Sequence, residues 1–310
     1  LVLTGIHQDK RTFYRWYEGF SGKKWLDVPD GAYDKFVIDP DNIMLELYRK
    51  NNTLKTKGLL KKQEPFDFRF AGLFSNPQYS RLNYLPALGW NSYDKIMLGL
   101  SSYDPPLPTD RFDYFLAPFY TTGTNTLAGK GFFAFNIFPD RLFQEIQLKT
   151  SGKRFGYSDY YKGSYNKFKA ELNLSLKSNN PFQAGSNRIR FSYIHATDLI
   201  DILDKIHGAE EKSLTYNNFF NAAFIHDHSN KSINPYSFRT DMEWSSDFLK
   251  SSLEANYKFS YYMNEGLSLR VFGGMFLNKK TGLPYNYAYH LGGGNGWQDY
   301  KYEHTFLGRF

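Results

Sequence analysis

The stretch from Leu253 to Met263 alternates without exception. Leu253, Ala255, Tyr257, Phe259, Tyr261 and Met263 are apolar or aromatic, and the intervening Ser252, Glu254, Asn256, Lys258 and Ser260 are polar. Successive side chains of a strand point to opposite faces, so this period of two predicts one greasy face and one wet face. Asn264-Glu265-Gly266 reads as a turn, after which Leu267, Leu269, Val271, Gly273, Met275 and Leu277 resume the pattern. Strands of soluble sheets average about 5–6 residues, whereas a tilted strand crossing a bilayer needs about 9–11. Two such neighbours predict a hairpin of a transmembrane antiparallel β-barrel.

The pattern recurs. Phe168, Ala170, Leu172, Leu174 and Leu176 alternate with Lys167, Lys169, Glu171, Asn173 and Ser175, and Leu142, Ile146 and Leu148 with Glu145, Gln147 and Lys149. A charged second face suits a barrel lumen and not the inside of a sandwich. Leu253, Ala255, Tyr257, Phe259, Tyr261, Met263, Phe168, Ala170, Leu172 and Leu174 are therefore expected to face lipid, and Glu254, Lys258, Lys167, Lys169 and Glu171 the lumen. Similar runs, spaced near 20 residues, suggest roughly 12 strands between 66 and 310. Asp198–His207 alone has helical character and is expected in a loop. Gly292, Gly293, Gly294, Asn295 and Gly296 cannot form a regular strand. A surface loop and a loop folded into the lumen both fit them.

The first 50 residues differ. Short β-like runs broken by Gly19, Gly22, Pro29, Gly31 and Pro40 predict a small β module, followed by a basic linker over 51–65. Arg49, Lys50, Lys55, Lys57, Lys61 and Lys62 precede the next acid, Glu64. They form either a solvated connector or a segment resting on anionic headgroups, at about 1 kcal/mol per charge. The expected order is thus module (1–50), linker (51–65) and barrel (66–310).

Composition sharpens this order. Mean hydropathy is −0.55, and no apolar run approaches the ~18 residues of a spanning helix. That excludes a helical membrane protein but not a barrel, whose strands are half polar. The 25 Tyr, 29 Phe and 5 Trp exceed what a soluble core needs and suit interfacial aromatic girdles; a soluble, tyrosine-rich all-β binding protein is the alternative. The absence of Cys fits an exported bacterial protein. Leu1 opens the chain without a signal-peptide pattern, which reads as a mature form or a fragment. The net charge of +7 is spread along the chain, without the patch or module of a nucleic-acid binder; outer-membrane lipid and other envelope proteins are the expected partners.

Chemistry is sparse. The chain lacks a His-Glu-x-x-His motif, a Gly-x-Ser-x-Gly elbow and a Walker loop. His226-Asp227-His228 is the compact ligand-like cluster; its two histidines share a strand face but lack an evident third ligand. His195 is expected as a packed or lumenal side chain rather than a base. No cofactor is expected within the chain.

Several segments resemble a known family. They are Trp16-Tyr17-Glu18-Gly19-Phe20, Phe36-Val37-Ile38-Asp39-Pro40-Asp41, Arg49-Lys50-Asn51-Asn52, Leu85-Pro86-Ala87-Leu88-Gly89-Trp90-Asn91, Tyr93-Asp94-Lys95-Ile96-Met97-Leu98-Gly99-Leu100 and Leu116-Ala117-Pro118-Phe119-Tyr120. In this order they resemble the C-terminal β-barrel extension of Gram-negative gluzincin-type zinc aminopeptidases. The resemblance implies an outer-membrane anchor with a periplasmic N-terminal module, and a catalytic zinc only in a domain upstream of these residues. The glycine-rich segment and Phe306-Leu307-Gly308-Arg309-Phe310 more loosely resemble BamA-type surface-antigen barrels, in which a loop enters the lumen and several strands follow. On that likeness the barrel is cut short, whereas alternate Tyr302, Phe306 and Phe310 suit a final strand; porin-like assembly, translocation or diffusion is the corresponding alternative function.

Face assignment predicts that Phe259→Arg costs about 2–4 kcal/mol in a bilayer if Phe259 lies at mid-depth, while Lys258→Arg is nearly silent. Reversible unfolding in lipid vesicles checks the difference, and equal costs contradict the faces.

Overall fold

A computed structural model of the chain describes residues 1–46, 49–58, 61, 66–74, 76, 79–105, 111–139, 141–158, 163–178, 185–204, 209–229, 231, 233–262, 265–283, 287–289 and 300–303. Its elements are β1 (Val2–His7), β2 (Lys10–Trp16), β3 (Lys35–Ile38), a 3-10 turn at Arg49–Asn51, β4 (Thr53–Lys55), β5 (Phe66–Phe70), β6 (Ser80–Asn91), β7 (Lys95–Tyr103) and β8 (Phe112–Thr121). There follow β9 (Leu127–Ile137), β10 (Phe143–Ser158), β11 (Gly163–Leu176), β12 (Ser186–Asp204), β13 (Ala209–His228), β14 (Tyr236–Trp244), β15 (Phe248–Tyr262) and β16 (Glu265–Lys279). The chain forms two compact units, Leu1–Tyr84 with Asp104–Asp110, and Leu85–Tyr103 with Arg111–Phe310.

The first unit contains a four-stranded sheet ordered β2-β1-β3-β4. Gln8 and Asp9, both at positive φ, make the two-residue turn that matches the twist of a β1–β2 hairpin. Val2, Leu3 and Thr4 are buried in its centre. Part of the expected linker is structure: β4 pairs with β3 from Lys35↔Lys55 to Val37↔Thr53. Asp39 ties the loop after β3. It accepts from the Ile43 and Met44 amides and from Arg49 Nη1, each at 2.9 Å.

The larger sheet has twelve strands in the order β16 to β5. From β7 to β16 each neighbouring pair is antiparallel and consecutive in sequence. The all-β architecture read from alternation is therefore present, but closure is not. β5 and β16 form the two edges. β5 joins β6 in parallel over five residues, Phe66↔Ser80 to Phe70↔Tyr84, and among the described residues β16 pairs only with β15.

Residues 198–204 are strand, not helix. β12 and β13 stay in register from Asp198↔Thr215 to Asp204↔Ala209. The helical spacing of Leu199, Ile202 and Leu203 is overridden by a partner strand that takes up the backbone hydrogen bonds, in a segment whose β-branched isoleucines suit a sheet. Asp94 fastens the β6–β7 turn to β10. Its Oδ2 accepts from Asn91 Nδ2 and from the Gly156 amide, at 3.0 and 2.8 Å. Gly156 is required there, since a Cβ would lie 2.8 Å from Asp94 Oδ1.

Burial opposes the charge of Asp39, yet the Met44, Ile43 and Arg49 donors outweigh it and hold the carboxyl below its ordinary value. The unfolded chain therefore takes up the proton first. This contribution is complete above the unfolded value of about 4 and is lost as pH falls through the lower folded value. Asp39→Asn should speed amide exchange at Ile43 and Met44 at neutral pH, corresponding to about 1–3 kcal/mol of lost protection, and flatten its dependence on acid.

Candidate functional site: the polar face and its C-terminal strap

Strand pleating sorts the larger sheet into two unlike faces. One carries Leu253, Ala255, Tyr257, Phe259 and Tyr261 of β15, and Phe168, Ala170, Leu172 and Leu174 of β11, in register with apolar neighbours. Leu253 is 47% and Val271 66% exposed. Met263 lies outside the described residues. Tyr193, Phe220 and Trp244 stand directly opposite one another across β12, β13 and β14 on this face, and the Phe220 and Trp244 rings stack at 4.9 Å.

The other face carries Glu254, Lys258, Lys167, Lys169 and Glu171, and many of its polar groups pair across neighbouring strands. Arg190 donates to Asn173, Asn173 to Gln147, Gln147 to Asn136 and Asn136 to Asp113, at 2.9, 3.3, 2.9 and 2.7 Å. This ladder runs through five consecutive strands, β12 to β8. Lys169 and Arg190 flank Glu171 at 3.1 and 3.8 Å, and Arg270 meets Glu254 at 2.8 Å. Pairing across neighbouring strands fits the expense of leaving such groups unmade away from water.

Aromatic residues interrupt this face where the chain after β16 returns to it. Tyr287 packs against Ile194, Phe219 and Phe248. Tyr289 covers Phe272 and Phe276, and a Cβ on Gly274 would come within 2.8 Å of its ring. Further along, Tyr302 stacks on Tyr165 at 4.1 Å, nearly parallel. Tyr302 holds a φ of 50°, uncommon for a residue with a Cβ. The segments 287–289 and 300–303 thus form a strap on the polar face of β11 to β16.

Charges fasten the strap. Lys250 donates to Tyr300 Oη at 2.6 Å and to the Tyr287 carbonyl at 3.1 Å. Tyr300 donates to Glu243 Oε1 at 2.5 Å, and Lys301 to Oε2 at 2.6 Å. Lys250 and Glu243 are both buried. Burial, reinforced by the Glu243 carboxylate, raises the Tyr300 phenol above its ordinary value and keeps it a donor. Glu303 reaches Lys167 and Lys169 at 3.2 and 3.4 Å. Desolvation beside the sheet favours the neutral acid, but Lys167 and Lys169 prevail and hold it down to about 2.

Gly292, Gly293, Gly294, Asn295 and Gly296 lie outside the described residues, although the segments on both sides of them rest on the polar face. His226 and His228 share a face, as their spacing requires, with ring centroids 4.8 Å apart. His226 contacts Asn187 Oδ1 at 2.5 Å and His228 stacks on Tyr236. Among the described residues no three His, Cys, Asp or Glu side chains gather to hold a metal. His195 is on the apolar face rather than in a lumen, 2.7 Å from Asn218 Oδ1. The Lys250–Glu243–Tyr300 network escaped sequence reading. Its signal was the aromatic side chain at Phe248, which falls on the otherwise polar positions of its strand.

Glu243→Ala leaves Lys250 buried without its carboxylate. The expected cost is about 3–5 kcal/mol, with release of the strap seen as faster amide exchange at 300–303. Unchanged exchange contradicts this fastening. No protein-family model, no curated protein and no solved structure matches the chain.

Proposed function

We propose that the chain is a membrane-embedded β-barrel of a Gram-negative outer membrane, with its N-terminal module on the periplasmic side and its strand edges joined in lipid. The observation that carries this reading is the apolar face. The eleven strands β6 to β16, at about 4.8 Å spacing and with a band about 25 Å tall, amount to on the order of 1,300 Å². Monomeric soluble proteins rarely leave apolar patches beyond a few hundred Å² uncovered, which disfavours a soluble all-β binding protein. The opposite face, paired across strands, is suited to a lumen.

The role we assign is anchorage of a zinc aminopeptidase in the envelope. The motif resemblance supports that assignment, and the metal chemistry belongs to the catalytic domain. A pore for assembly, translocation or diffusion is the second reading, favoured by a cavity on the polar face over β8 to β11 that is lined by Lys130, Lys149, Lys153, Lys167 and Lys169. β12 and β13, at 19 and 20 residues, exceed the about 9–11 a crossing needs. Their Asp201↔Lys212 and Ile202↔Glu211 ends suit a position beyond the lipid.

The purified chain should require detergent and migrate faster before boiling than after. Monodisperse behaviour in plain buffer overturns the membrane reading. Absence of a zinc-peptidase motif from the parent reading frame overturns the anchoring role alone. The midpoint of β15 (Phe248–Tyr262) is Ala255 rather than Phe259. On the membrane reading, Leu253→Arg, two residues from that midpoint, should therefore cost more than Phe259→Arg, up to about 2–4 kcal/mol, and both should cost more than Lys258→Arg, as measured by unfolding from vesicles.

A further inference from the structure

A cavity of about 450 Å³ opens on the polar face over β8 to β11, lined by Lys130, Lys149, Lys153, Lys167 and Lys169 against the carboxylates Glu171 and Glu303. The two carboxylates are engaged at one side. Glu171 meets Lys169 and Arg190, and Glu303 meets Lys167 and Lys169. Among the described residues, Lys130 and Lys149 have no carboxylate partner. They lie instead near two half-buried rings: Lys149 Nζ is 4.2 Å from the centroid of Phe132, and Lys130 Nζ 5.9 Å from that of Phe115. The two rings stack at 6.1 Å with planes 22° apart.

This cluster of lysines sits beside two half-buried rings on the polar face. An inorganic anion would use the ammonium groups and leave the rings idle. A neutral aromatic would do the reverse. Glu303 shows that the lysines accept a carboxylate, supplied here by the chain itself.

We propose that this cavity is a binding site for a small organic anion, a phosphate or carboxylate borne on a flat apolar ring. Lys130 and Lys149 meet the charge, and Phe115 and Phe132 meet the ring. Glu303 sits at the other side of the cavity on Lys167 and Lys169, where its negative charge opposes a bound anion. The site goes beyond the membrane reading, because it needs only the polar face of β8 to β11 and the strap.

Calorimetric titration of the full chain with phenyl phosphate tests it, in detergent and in plain buffer, so that loss of the lipid reading leaves the binding result standing. Saturable binding is expected. Inorganic phosphate should bind about ten-fold more weakly and benzyl alcohol should not saturate, because charge and ring contribute separately. Lys130→Ala with Lys149→Ala should weaken phenyl phosphate at least about ten-fold, because both charge-assisted contacts are lost. Phe132→Leu should weaken it by a smaller factor. Glu303→Gln, which keeps shape and removes the opposing charge, should tighten it, whereas Lys280→Ala at the β15–β16 side should change nothing. Far-ultraviolet circular dichroism identifies any variant that fails to fold, and for such a variant Lys130→Gln with Lys149→Gln replaces the alanines. Absence of saturation in the parent chain, equal affinity for inorganic phosphate, or unchanged binding in the double lysine variant each overturns the proposal.

Discussion

A strand whose side chains alternate presents two solvents with two surfaces, and neither surface can be exchanged for the other without shifting the register. In the large sheet this constraint governs the rest. A slip of one residue between β15 and β16 would put Glu254 and Lys258 among Leu267, Leu269 and Val271. The pairing Tyr257↔Leu269 and Lys258↔Ser268 prevents it. Apolar positions then accumulate on one side strand after strand, while the polar side must find its hydrogen bonds within itself. The chain of donors from Arg190 to Asp113 answers that requirement, each amide serving both as donor and as acceptor.

The polar face is not uniformly wet. Phe219 and Phe248 occupy polar-face positions and would be costly there if uncovered, and Tyr287 and Tyr300 cover them. The covering segment brings its own charges to residues already present, Lys301 to Glu243 and Glu303 to Lys167. Packing and electrostatics thus act on the same few residues. Truncating a buried tyrosine would also remove the partner of a buried charge, so the effects of strap mutations should be strongly non-additive. Lys167 and Glu303 also line the cavity beside Phe132, which links occupancy of that cavity to the seating of the strap at residues 300–303.

Strand identity and face were legible in the sequence wherever alternation was long. Glu254, Lys258, Lys167, Lys169 and Glu171 share one face, and the described apolar partners share the other. Where alternation failed, so did the reading. Asp198–Asp204 carries isoleucines and leucines at helical spacing, and a helix and a strand compete there on nearly equal local terms. Only its pairing with 209–215 decides. β4 was hidden in a basic stretch because three residues beside β3 suffice to form it.

By itself, the sequence determined a β-rich chain with one apolar and one polar face, because period-two patterning is a local property that every strand carries. The tertiary structure alone decided which strands adjoin, that the described sheet has two edges, and that Lys250, Glu243 and Tyr300 meet. Those three residues are 57 positions apart at the extreme, and no local preference encodes such a contact. It arises because the chain after β16 folds back over buried aromatic rings and places a phenol where two buried charges need one.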